Sequence, residues 1–148
     1  PVLTALGNRL SQSCRENIRG IHLGGMSAED EFWQQLTIQW FPDSIAMAGY
    51  GNSLAGMCPQ LELIDGTKPA YYAHGNRLIV DVHNPDETGR GQVMFHRLDH
   101  SCLLPNMLER DVATIQNIAT PVEGFHVTGI LDPKPAVALK PLPAGALY

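Results

Sequence analysis

Lysine is nearly missing from this chain: 148 residues carry only Lys68, Lys134 and Lys140. No basic run occurs anywhere, and the formal charge is −5. A nucleic-acid binder needs a basic patch to displace counterions from phosphates, so nucleic acid is not an expected partner. Charge of either sign is thin, at 17% of residues, where about a quarter is usual. Such a surface points to partial cover by a second copy of the chain or by a fused domain.

Other absences narrow the class further. The three cysteines, Cys14, Cys58 and Cys102, are far apart and include no CxxC pair, which argues against a disulfide framework and a zinc ribbon. There is no N-x-S/T acceptor, no charged-then-apolar leader pattern, and no apolar stretch of membrane-spanning length. A cytoplasmic protein without membrane association is the expectation. The chain opens on Pro1 rather than Met, as a processed product or an excised domain would.

What is present suffices for one core. Hydrophobic residues make up 44% of the chain, and the length fits a single domain, expected over residues 1–132. Pro133, Pro135, Pro141 and Pro143 then mark residues 133–148 as an extended tail or linker.

Periodicity predicts an α+β fold. Leu6, Leu10, Cys14 and Ile18 repeat every four residues, which predicts a helix over 2–19 closed by Gly20. Ser27 and Asp30 resemble a capping box that opens a second helix, burying Phe32 or Trp33, Leu36 and Trp40 and stopped at Pro42. Ile45, Met47 and Gly49 alternate as in a strand but fit a short helix as well, while Leu61, Leu63 and the turn Asp65-Gly66 read as a strand end. Gly75-Asn76 predicts a two-residue hairpin between 71–74 and 77–83, and Asn84 to Gly91 predicts a second hairpin into Gln92–Leu98. Leu104, Leu108, Val112 and Ile115 predict a late helix over roughly 104–119, followed by a strand over 125–131. The expected fold is thus an antiparallel β-sheet of about four to six strands, with two N-terminal helices and the late helix packed on one face.

Several motifs fail on spacing. Pro1 resembles the amino-terminal proline of the tautomerase family, but that role needs a strand, and the spacing from Val2 onward is helical. Gly49, Gly51 and Gly56 lack the GK[S/T] of a phosphate loop and read as a loop. His96 and His100 share a helix face but stand about 13 Å apart along a strand, and the alternation around Val93 and Phe95 favours a strand. Cys102 beside Leu103-Leu104 reads as packing. Neither a metal nor a cofactor is expected.

One constellation survives. Pairing Val80 with Phe95 and Val82 with Val93 buries one sheet face. The opposite face then carries Tyr72, Ile79, Asp81, His83, Met94 and His96, which His126 from the last strand would join. Asp81 lies diagonal to His96, a separation of about 7–8 Å between β-carbons, and a carboxylate contact would hold the imidazole in one tautomer for general-base work. An ordinary solvated sheet face is the commoner reading of such a surface, and the apolar neighbours Ile79, Met94 and Leu98 are what support a pocket wall against it. The leading expectation is a regulatory or carrier-type domain binding a small molecule there, with Tyr72, Ile79, His83, Met94 and His126 as ligand-binding residues. The alternatives are a cofactor-free isomerase, lyase or hydrolase using Asp81 and His96, and a protein-interaction domain with no pocket.

Overall fold

The computed structural model describes residues 2–24 and 28–136. The four-residue repeat near the N-terminus does fold helically, but in two pieces. Helix α1 spans Val2–Arg9 and helix α2 Gln12–Glu16. Ser11 divides them by turning extended, and its hydroxyl accepts from the Cys14 N–H at 3.3 Å, as an N-cap does. Gly20 does not cap a helix; it opens strand β1, Gly20–Leu23. A parallel partner, β2 (Ile45–Asn52), follows after a crossover, as parallel pairing requires.

The crossover holds helix α3, Asp30–Gln34, which continues as a π-helix over Gln35–Trp40. Asp30 and Glu31 occupy its first turn, where the helix dipole favours carboxylates. Glu29 stands at the N-cap and makes no side-chain cap bond; Ser27 lies outside the described residues. The apolar stripe works as expected: Trp33, Leu36 and Trp40 are buried, and with Phe41 they join the core cluster.

The remaining strands are β3 (Gly56–Ile64), β4 (Lys68–Tyr71), β5 (Leu78–His83), β6 (Arg90–Asp99), β7 (Cys102–Asn117) and β8 (Thr128–Pro135). They form one mixed eight-stranded sheet in the order β1-β2-β3-β4-β8-β7-β6-β5. This corrects the expected antiparallel sheet of four to six strands under helices. The sheet is larger, it contains one parallel pair, and it coils so that β2 reaches β6. The rings of Tyr50 and Phe95 stack with centroids 5.8 Å apart. No helix among the described residues is long and apolar enough to cross a membrane.

The late helix is the largest correction, because residues 102–117 form the longest strand. Asn106, at φ 57°, sits in a bulge where Phe95 pairs with Met107 but Arg97 pairs with Leu104. One extra residue reverses the alternation. Leu104 faces inward before the bulge, and Met107 and Ala113 face inward after it. Broken alternation then looks like helical spacing. Asp99 closes the β6–β7 turn by accepting from the Ser101 and Cys102 N–H groups, the Ser101 hydroxyl and Arg97 Nε.

The Gly75-Asn76 hairpin is a second correction. Tyr71 pairs with Gln60 of β3 and Ile130 of β8, not with β5. Gly75 instead donates its N–H to the Gly124 carbonyl at 2.8 Å. The second hairpin stands, in the expected register: Val80 opposes Phe95, Val82 opposes Val93, and all four are buried. Gly49 and Gly51 lie inside β2 and Gly56 opens β3, so they shape a tight hairpin rather than a loop. Strand β8 runs on to Pro135, which pairs with Asp111. Residues 137–148 lie outside the described residues.

Strands β4 and β8 meet more closely than side chains usually allow. A β-carbon at Gly129 would stand 2.2 Å from the Tyr71 carbonyl oxygen and 2.6 Å from the Tyr72 ring. Neither neighbour can move without breaking the ladder. Gly129→Ala is expected to cost about 1–3 kcal/mol, the range for overpacking. The urea midpoint should fall while the slope of the transition stays constant. An unchanged midpoint would show that the strands are not so close.

Candidate functional site

The outer face of β5 and β6 has the composition expected of it, but it is open. Ile79, directly opposite His96, is 37% exposed. Asp81 is exposed opposite half-buried Met94, and exposed His83 opposes Gln92. The two groups proposed as an acid/base pair have local partners. Asp81 Oδ1 accepts from the Val82 N–H at 2.7 Å, and His96 Nδ1 accepts from the Asn106 N–H at 3.1 Å. The second bond gives His96 a structural task. A bulge leaves a strand N–H without its ladder partner, and the imidazole satisfies it.

Two of the expected ligand residues lie elsewhere. Tyr72 is fully buried beyond the end of β4, and its hydroxyl donates to Glu62 Oε2 at 2.5 Å. His126 is half-buried ahead of β8, with Nε2 2.7 Å from the Gly75 carbonyl oxygen. The structure therefore keeps Ile79, Asp81, His83, Met94 and His96 on one surface and separates Tyr72 and His126 from it. Among the described residues, no group of three or more His, Cys, Asp or Glu side chains is placed to hold a metal ion. At the turn after β6, the Asp99 carboxylate between His96 and His100 is taken up by its turn bonds, which hold it well below the usual carboxylate range.

A concave site exists on another part of the sheet. A cleft of about 410 Å³ opens where β2, β4, β7 and β8 converge, lined by Tyr50, Asn52, Tyr71, Glu109, Asp111 and Asp132 among others. Its position follows from ladder defects. β7 carries extra residues between the pairs Gln92–Val112 and Met94–Leu108, and the β7–β8 register shifts between Val112 and Thr114. Asp132 takes φ 49°, a conformation costly for a side chain outside glycine. Bulges re-aim side chains and often flank functional sites.

Tyr50 forms one wall. Its ring lies between Phe95 and Tyr71, with centroids 5.8 and 5.7 Å away. Its hydroxyl donates to Asp111 Oδ2 at 2.9 Å. Close by, the Asn52 side-chain amide donates to Glu109 Oε1. Tyr71 forms the floor at 6% exposure. Its hydroxyl makes no hydrogen bond among the described residues, and it is not sealed from solvent. It is therefore open to solvent as a donor and acceptor in the lining of the cleft. Asp132 lies near it and also pairs with Lys134 Nζ at 3.2 Å.

None of these residues falls in the site expected from the sequence. Glu109 and Asp111 fell inside the expected helix over roughly 104–119. The available signal was Tyr50 between Gly49 and Gly51, an aromatic residue flanked by positions that admit close packing. A β-carbon on Gly49 would meet Met57 Sδ at 2.3 Å, and one on Gly51 would meet the Gly56 carbonyl oxygen at 1.9 Å.

Comparison with protein-family models gave no match, and comparison with curated proteins gave none either. The function must therefore be argued from the geometry.

Burial raises the proton affinity of the acids in this region. Burial, then the charge of Asp132, pushes Tyr71 up to about 12. Burial alone pushes Cys58 up to about 12. Tyr50 is raised by burial and then by Asp111, and Tyr72 by burial and then by its bond to Glu62. A pKa raised in the folded state gives stability that is intact below the unfolded value and is lost as pH climbs toward the folded one. Stability should thus hold below the ordinary values of 9.0 for Cys58 and 10.0 for the tyrosines, and fall as pH approaches 12. Followed by absorbance, phenolate from these three tyrosines should appear together with loss of the β-sheet circular dichroism signal. Ionisation that precedes unfolding would show that burial does not hold these phenols protonated in the native state.

Proposed function

We propose that this chain is a small-molecule-binding domain whose ligand sits in the Tyr50–Tyr71 cleft. The observation that carries this reading is the Tyr71 hydroxyl, a polar group with no partner among the described residues, on a residue only 6% exposed in the lining of a cavity of about 410 Å³. That hydroxyl is open to solvent, so a ligand can replace the water that serves it, and ligand sites of roughly this volume are oriented by a few such convergent polar groups. Rigid strands supply those groups here, which suits a carrier or sensor whose site is formed before the ligand arrives.

Catalysis by Asp81 and His96 has weaker support, because both are engaged with backbone N–H groups on an open surface. An interaction surface has a specific observation in its favour. On that same outer face Leu98 pairs with Leu103, which is 71% exposed, and Met94 pairs with Leu108. Ile79, His83, Met94 and His96 would then contact a partner protein rather than a ligand.

Amide chemical shifts separate these readings. The probe is a set of small fragments spanning cations, neutral molecules and anions. Perturbations should centre on Tyr50, Asn52, Tyr71, Asp111 and Asp132, and Tyr71→Phe should weaken them. Perturbations centred on Ile79, Met94 and His96 would move the ligand site to the outer face. An absence of binding at millimolar fragment, with line widths that grow with protein concentration, would replace the binding reading with the interaction reading.

A further inference from the structure

We infer that the cleft selects an organic cation: a protonated or quaternary amine carried on a small apolar or aromatic body. The inference rests on the binding reading above and names the ligand class. Glu109, Asp111 and Asp132 all line the cleft, against the single guanidinium of Arg110. Lys134 offsets Asp132 at 3.2 Å, so a phosphate or carboxylate ligand would still enter against one net negative charge, carried by Glu109 and Asp111. A neutral ligand would gain nothing from them.

The carboxylates alone would not make a site, since acidic clusters are commonly just solvated. Tyr71 supplies the independent observation. Its buried side chain lines the cleft, with a hydroxyl that has no partner among the described residues. The phenol oxygen can accept a hydrogen bond from an ammonium N–H, while the tyrosine rings give the ligand body an apolar seat.

The carboxylates keep capacity for such a guest. Each carboxylate offers about four acceptor sites. The bond from Tyr50 to Asp111 and the bond from Asn52 to Glu109 each use one. Asp132 already takes an ammonium, that of Lys134 at 3.2 Å, which also lies 3.8 Å from Asp30. The chain's own lysine therefore illustrates the chemistry the cleft favours at one rim. Asp111 and Glu109, with no ion pair among the described residues, are the positions open to a ligand cation.

Three probes of one shape test this: phenethylammonium, the neutral 2-phenylethanol and the anionic 3-phenylpropionate, each titrated by NMR against the full chain. Phenethylammonium should perturb Tyr50, Tyr71 and Asp111. The alcohol should bind at least about fivefold more weakly, the ratio that one partly screened ion pair supplies, and the carboxylate should not bind. Asp111→Asn keeps an acceptor for Tyr50 and should cut ammonium affinity about fivefold while leaving the alcohol unchanged. Tyr71→Phe should weaken both. Glu109→Gln serves in place of Asp111→Asn if melting curves show that the latter unfolds the domain.

If the alcohol or the carboxylate binds in the cleft as tightly as the ammonium, the cation assignment falls and the binding reading survives. If none of the three perturbs the cleft, the assignment fails, and the wider fragment set decides the binding reading on its own.

Discussion

The position of Tyr50 between Phe95 and Tyr71 is the constraint on which the shape of the molecule depends. A flat eight-stranded sheet would leave β2 far from β6, because four strands separate them in the ladder order. The stacked ring closes that gap, and its hydroxyl adds a bond to Asp111 on β7. One side chain thus joins β2, β4, β6 and β7. Aromatic pairs of this kind contribute about 0.5–1.5 kcal/mol beyond the area they bury. The geometric effect matters more than that energy, since the coil of the sheet creates both the closed core and the concave region beside it.

Fold and site were legible in the sequence to different degrees. Where burial alternated without interruption, as in Leu78–His83 against Gln92–Leu98, the sequence specified even the register. The stripe of Trp33, Leu36 and Trp40 was equally clear, since three buried anchors at helical spacing survive a switch from α to π winding. Interruption defeated the reading elsewhere. The Asn106 bulge inverted the alternation of β7, so the helical spacing of Leu104, Leu108, Val112 and Ile115 mixes positions from both faces of the strand, Leu108 being 47% exposed opposite Met94. Gly75-Asn76 has the chemistry of a hairpin turn, but the bond between Gly75 and Gly124 shows tertiary context deciding its use.

The outer face and the cleft show why patterns find surfaces more readily than cavities. Asp81, His96 and Ile79 share a face because two adjacent strands share a register, a local property. The cleft needs β2 against β7 and β4 against β8, contacts between residues far apart in the chain. No local pattern places Tyr50 beside Asp111. The same ladder defects that concealed β7 from periodicity are those that shape the cleft, so the hardest region to read was also the one that carries the site.

The pairing of β4 with β8 also bears on the order in which the protein assembles. Strands β5, β6, β7 and β8 follow one another as neighbouring antiparallel hairpins, and such local contacts close quickly. Ala70 meets Leu131 only after that whole meander has been enclosed as a loop, and the entropy of closing it opposes the contact until the other strands are in place. Tyr71 and Asp132 adjoin this last seam. The cleft therefore waits on the same closure that completes the core, because Trp33, Leu36, Cys58 and Tyr71 lie outside the meander, and a chain with only the meander formed would hold neither.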